Sequence, residues 1–149
     1  MKEAIQTLIT SDKMAHAFEY LKQDEEHTID QQIELVQISS FSPFEEKRAI
    51  RFKELLTEAG LDPVMDEVHN VYAHIHGTGN GPTLYVSAHL DTVFPPETPL
   101  PVKREGTKIY APGIGDDTRG LAEILTLARA IKESGLKPVG DIIIGGNVA

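Results

Sequence analysis

The amino-acid sequence predicts an α/β fold, a three-layer sandwich whose mixed, mostly parallel sheet carries helices on both faces. Three observations predict it. Apolar residues recur at helical spacing in "SPFEEKRAIRFKELLTEAG" and again in "DTRGLAEILTLARAIKE". Extended apolar segments, "TLYVSAH" and "DIIIGG", flank the second of these helices, and strand, helix, strand in succession implies a parallel crossover. At 149 residues the chain fits one ordinary domain, with a core that needs no covalent staple.

Taken in order, residues 2–38 read as helical, with Ile29, Ile33 and Val36 on one face of "IDQQIELVQIS". A further helix opens at Ser42 as N-cap, with Pro43 in its first turn, Glu45 completing a capping box and Gly60 as the stop. Ala49, Phe52, Leu56 and Ala59 give it a core face. The segments "VMDEVHN" and "VYAHIHG" read as a hairpin joined at His69 and Asn70, followed by the turn "GTGNGP". In "TLYVSAH" Leu84, Val86 and Ala88 share a strand face. A proline-rich loop, "FPPETPLPV", and a hairpin, "VKREGTKIYA", lead through "PGIGDD" to a helix over 118–133. Its buried stripe is Leu121, Ile124, Leu125, Ala128 and Ile131. The run "DIIIGGNVA" predicts a central strand covered on both faces.

Composition excludes several functions. Without cysteine there is no disulfide and no thiolate site, so any metal must be held by nitrogen and oxygen. A formal charge of -9 argues against nucleic acid as partner, because phosphate binding draws on clustered Lys and Arg. No apolar run approaches the roughly 20 residues of a membrane span. The opening "MKEAIQTLITSDKMAHAFEY" lacks the apolar centre of a signal peptide, and a cytoplasmic location is the expectation.

Two stretches could carry chemistry. In "VSAHLDTVFP" an apolar strand finishes on His89 and Asp91, where ligands collect in open α/β sheets. Residues i and i+2 point the same way, so Asp91 could accept from one ring N–H of His89 and leave the other nitrogen for a metal. A merely solvated strand end explains the same spacing. In "PGIGDDTRG" a glycine-rich turn delivers Asp116 and Asp117 ahead of a helix. The dinucleotide fingerprint fails, since Thr118 stands where a third glycine is needed and two carboxylates repel phosphate. Capping by Asp117 or Thr118 accounts for one acid, and a carboxylate held toward a cation accounts for the pair. His74 and His76 read as the exposed edge of a hairpin with no third ligand nearby. The run "DEEH" at 24–27 reads as a solvated helix end, with His16 and His27 unpartnered.

Together, "SAHLDTVFP" and, about 25 residues later, "GIGDDTRGLAEILTLARAI" resemble the dizinc hydrolase family of aminoacylases, peptidase T and glutamate carboxypeptidases. The likeness extends to "IELVQISSFSPFEEKRAIRFKELLTEAGL" and "HNVYAHIHG", and the tripeptidase-like branch is nearest in wording. The resemblance implies two zinc ions, with cobalt or manganese as substitutes, in a zinc-peptidase-like fold. It implies that His89 ligates one metal, that Asp116 bridges the two, and that Asp91 serves catalysis by orienting His89. Asp117 would follow Asp116 across a cis peptide. Thr118 departs from the lysine of many members, and Arg119 comes a residue later. Residues 1–28 would form a helical extension, and 29–149 the N-terminal part of the catalytic domain. The family's Glu-Glu pair, base and then ligand, is expected just beyond Ala149, and its inserted dimerisation domain is not in this chain. The expected function is hydrolysis of small peptides by the full-length protein, as monomer or homodimer, with this chain inactive alone. Deacylation of N-acyl amino acids is the nearer rival, and a non-catalytic α/β partner-binding module the more distant one.

Overall fold

The computed structural model describes residues 2–148. Three short helices open the chain: α1 (Lys2–Ile9), α2 (Asp12–Gln23) and α3 (Glu25–Val36). Ser11 caps α2 through its side chain. The buried side of α3 is Thr28, Gln31, Gln32, Leu35 and Val36, whereas Ile29 and Ile33, expected on the core face, are only half-buried. The face is rotated because the helix packs through a polar network. Asp24, 8% exposed, accepts from Arg129 Nε at 2.9 Å and from Thr126 Oγ1 at 2.8 Å. Arg129, 7% exposed, also donates to Gln31 Oε1 at 2.7 Å. The first residue of "DEEH" is therefore a buried anchor and not a solvated helix end, and His27 is partnered, with Nδ1 3.1 Å from Asp24 Oδ1.

Helix α4 (Glu46–Glu58) starts later than its capping signal predicts. The Ser42–Pro43 peptide is cis, Phe44 N–H donates to Phe41 C=O at 2.6 Å, and Glu45 precedes the helix with no side-chain cap bond. Residues 40–44 are engaged elsewhere: Thr92 N–H donates to Ser40 C=O at 2.7 Å, and Phe41 bridges to Thr92. The expected core face of α4 is buried, and Arg48 is buried with it.

The strands are β1 (Val64–Met65), β2 (Val71–Ile75), β3 (Leu84–His89), β4 (Lys103–Glu105), β5 (Lys108–Tyr110) and β6 (Ile142–Asn147), with α5 (Thr118–Glu133) between the last two. The main sheet runs β1-β2-β6-β3, and β4-β5 is a separate hairpin. β3 and β6 pair in parallel, while β1 with β2 and β2 with β6 pair antiparallel. The α/β class and the mixed sheet are those predicted, and α5 buries its predicted stripe.

Helices cover one sheet face. Val71, Ala73, Ala88 and Ile144 form one apolar cluster with Phe52, Leu56, Leu121 and Leu125. Burying each such large side chain contributes about 1.5–3 kcal/mol. Gly146 is required there, since a Cβ would stand 2.9 Å from the Phe52 ring. Alternate residues point the other way: His74, Tyr85 and Ser87 are exposed, and Tyr72 and Ile143 only partly buried. β6 is central in the sheet as predicted, but among the described residues its cover lies on the Ile144 side alone. No described helix is long and apolar enough to cross a membrane.

Candidate metal centre

β3 ends where its backbone is handed from the sheet to side chains. His89 still pairs with Asn147, and Leu90 N–H donates to Asn147 C=O at 2.6 Å. The Leu90 carbonyl then accepts from Arg48 Nη1 at 2.8 Å, and Arg48 Nη2 donates to the Ile38 carbonyl at 2.6 Å. This arginine is 1% exposed, and burial pushes its pKa down to about 10, against the opposing field of Asp91. The result is a fixed turn from which His89 and Asp91 project.

The second half of the site is the glycine turn before α5. Gly113 adopts φ 79°, a conformation that favours glycine. Thr118 is fully buried and donates to the carbonyls of Gly113 at 3.0 Å and Ile114 at 3.1 Å. Gln32 of α3 donates to the same Ile114 carbonyl at 2.7 Å. Thr118 therefore locks the turn from within. Arg119 faces away, bonded to Glu123 at 2.8 Å.

The Asp116–Asp117 peptide is cis, as the resemblance implies. Asp117 caps α5 by accepting from Gly120 N–H at 3.2 Å, and its other oxygen accepts from His89 N–H at 3.1 Å. One carboxylate thus ties the helix start to the strand end. A Cβ at position 120 would lie 2.3 Å from Asp117 Oδ1, so glycine is needed in the first turn of α5.

These supports bring the predicted residues together. His89 Nε2 lies 2.8 Å from Asp116 Oδ1. On the far side of the ring, Nδ1 is 3.1 Å from the Asp91 backbone carbonyl and 3.3 Å from its carboxylate. Asp91 orients the ring with both groups, which spacing alone did not show. Burial works against a charged imidazole, but the hydrogen bond to Asp116 and the fields of Asp91, Asp117 and Asp116 outweigh it and hold His89 above its ordinary pKa. Whatever favours a proton at Nε2 also favours a metal cation there.

The donor set fits a metal. Two ligands on one tetrahedral zinc, each at about 2.0–2.2 Å, stand about 3.3 Å apart, a small adjustment from the separation observed. The Asp116 side chain is 90% exposed, leaving its second oxygen open to a neighbouring ion. The pair borders a cleft of about 310 Å³ walled by Thr92, Phe94 and Gly113.

Sequence reasoning missed Arg48, Gln32 and Gly120. Arg48 carried a signal, an arginine four residues before Phe52 on the core face of its helix. Gly120 carried another, a glycine inside an otherwise unbroken helical pattern.

Residues 85–149, which contain His89, Asp91, Asp116 and Asp117, match the profile of peptidase family M20/M25/M40. Over this segment the chain is similar to members of that family. Carboxypeptidase G2 of Pseudomonas sp. (strain RS-16) is 38% identical over 77 residues, which are 50% of this chain and 18% of that protein. Aminopeptidase PepT from Bacillus cereus superposes with a TM-score of 0.70 at 26% identity, over 83% of this chain and 36% of PepT. A tripeptidase from Staphylococcus aureus gives 0.68 at 30% identity, again over 83% of this chain and 36% of that one. The chain thus spans about a third or less of the length of these relatives.

Proposed function

We infer that this chain supplies part of the dinuclear zinc site of a peptidase that hydrolyses amide bonds of small peptides. The observation that carries this reading is the convergence of His89 Nε2 and Asp116 Oδ1, 2.8 Å apart at the edge of a cleft. His89 would hold one ion and Asp116 would bridge the two, while Asp91 fixes the ring with Nδ1 protonated and Nε2 facing the site. Asp117 keeps strand and helix in register by bonding to both, so the two ligands cannot drift apart. When bound, a metal pair polarises an amide carbonyl and acidifies water. Phe94 and Thr92 line the cleft beside the two candidate ligands.

Among the described residues the cleft lining includes no glutamate, and Glu105 is paired with Lys103 at 2.6 Å. We assign the general base and the remaining ligands to residues outside this chain. In this reading residues 29–149 are part of a catalytic domain, residues 1–28 are an N-terminal helical extension whose α2 packs against α5, and the 149 residues alone turn over no peptide.

The test is amino-acid release from di- and tripeptides with added zinc or cobalt, measured for the full-length gene product and for this chain. N-acyl amino acids form a second substrate set. Chelator-sensitive release by the full-length protein, lost by at least about 10²-fold in His89→Ala, is expected, with none from the short chain. An unchanged rate in His89→Ala would remove the proposed site from the reaction.

A further inference from the structure

A second set of donors stands at the other end of the sheet. His74 and His76 alternate along β2 and its extension, so both project from the face that the helices leave open. Their ring centroids are 5.8 Å apart. Ile75 pairs with Ile142, which sets His76 beside Asp141 at the start of β6. The Asp141 carboxylate lies 3.7 Å from His76 Nδ1. One donor atom from each of His74, His76 and Asp141 lies within 4.8 Å of the others. The sequence expectation of an H-x-H without a third donor nearby is thereby corrected, because the sheet order brings in Asp141, the residue just before β6.

The backbone beneath these donors is fixed. Asp141 Oδ1 accepts from Gly77 N–H at 2.9 Å, which orients the carboxylate and holds it below the usual carboxylate range. Thr78 N–H donates to Pro138 C=O at 3.0 Å and Asn80 N–H to Val139 C=O at 3.1 Å, closing the loop after β2 onto the segment before β6. Gly77 and Gly140 pass so closely that a Cβ at Gly77 would stand 2.3 Å from the Gly140 carbonyl oxygen.

We propose that His74, His76 and Asp141 form a second divalent-metal site, separate from that at His89 and Asp116. Two imidazoles with one carboxylate suit Zn²⁺, Co²⁺, Ni²⁺ or Cu²⁺, whereas Ca²⁺ and Mg²⁺ call for oxygen ligands. Tetrahedral ligands about 3.3 Å apart are reached from the present spacing by rotation of the two exposed imidazoles. Water fills the open coordination on the solvent side. The site cannot be shared with the first: the five residue steps from Ile142 to Asn147 set them about 17 Å apart along β6, against about 3.5–4 Å within a metal pair. Bound metal would clip the β2 loop to β6 and stabilise the fold, since a ligand that binds only the folded state raises its stability by mass action.

The experiment uses this chain with His89→Ala and Asp116→Ala, which removes the first site. Titration with Zn²⁺ by calorimetry, and with Co²⁺ followed by its visible d–d bands, is expected to show one ion per chain, and Zn²⁺ to raise the melting temperature. Adding His76→Ala should weaken binding at least about 10-fold and abolish the melting shift. His74→Gln should do the same, a polar exchange at an exposed position that leaves the fold intact by circular dichroism. If the double variant binds no Zn²⁺ up to about 1 mM, or binds it as tightly after His76→Ala, the second site does not exist.

Discussion

Among the described residues two arginines are buried, and they are satisfied in different ways. Arg129 meets a dedicated carboxylate, Asp24, which also collects Thr126 and His27. Arg48 meets backbone carbonyls, those of Leu90 and Ile38, and its Nε has no partner. Its nearby negative charge, Asp91, raises the pKa through its field but bonds to His89. A closed ion pair stabilises and stays local. An arginine held by carbonyls fixes backbone, and here the backbone is the strand end that presents the candidate ligands.

The largest effect should come from opening the closed pair. Asp24→Asn leaves Arg129 buried without its counter-charge, and loss of one partner from a buried pair costs about 3–5 kcal/mol. The effect should depend on pH in a defined direction. Burial raises the pKa of Asp24, but hydrogen bonds from Arg129 and Thr126 outweigh it, so the folded value lies below the ordinary one of about 3.9. The stabilisation is therefore fully present above pH 4 and is lost as pH falls through the folded value. Urea unfolding at pH 7 and at pH 3 should show a difference between wild type and variant that shrinks at the lower pH. A gap of equal size at both would mean that the carboxylate charge is not what holds α3 to α5.

A smaller loss of stability is expected at the other arginine. Arg48→Met keeps the apolar stem and leaves the carbonyls of Leu90 and Ile38 without donors, at about 1–3 kcal/mol for each one that water cannot reach. Removing a cation that burial already disfavours offsets part of that cost, so a net loss of about 2 kcal/mol is expected. The comparison predicts a second consequence that Asp24→Asn lacks. Zn²⁺ affinity at His89 and Asp116, measured in a His76→Ala background, should fall several-fold in Arg48→Met and stay unchanged in Asp24→Asn. Equal affinities in the two variants would reduce Arg48 to a packing residue.

The same contrast explains what was legible in the sequence. The stripe of α5 and the core face of α4 follow from period alone, because apolar burial leaves a regular mark. The Asp24–Arg129 pair leaves none: its members are 105 residues apart, and each alone looks like a surface charge. Ser42 satisfied a local capping rule, but its neighbours Ser40 and Phe41 are engaged with Thr92, and that non-local pairing displaces the helix start. His89 and Asp116 could be singled out from strand-end and glycine-turn chemistry, although their meeting depends on Asp117 bonding both elements. Asp141 stayed hidden as a neighbour of His76, since nothing short of the sheet order places β6 beside β2.

The smallest effect concerns Asp91, whose field acts on Arg48 and whose carboxylate faces His89. Its carboxylate is 3.3 Å from His89 Nδ1, but its own backbone carbonyl is nearer, at 3.1 Å. Loss of a group that orients a metal-binding histidine typically costs 10- to 100-fold in affinity. Because the carbonyl remains in Asp91→Ala, the Nδ1-protonated ring should be kept and the loss should lie near 10-fold. Nitrogen NMR of the His89 ring gives a readout that a general loss of stability would not move: Nδ1 should stay protonated in the variant, with Nε2 still the metal-facing atom. A 100-fold loss accompanied by a switch of the proton to Nε2 would show that the carboxylate alone sets the tautomer, and that the carbonyl contact holds the ring in place without choosing which nitrogen faces the metal.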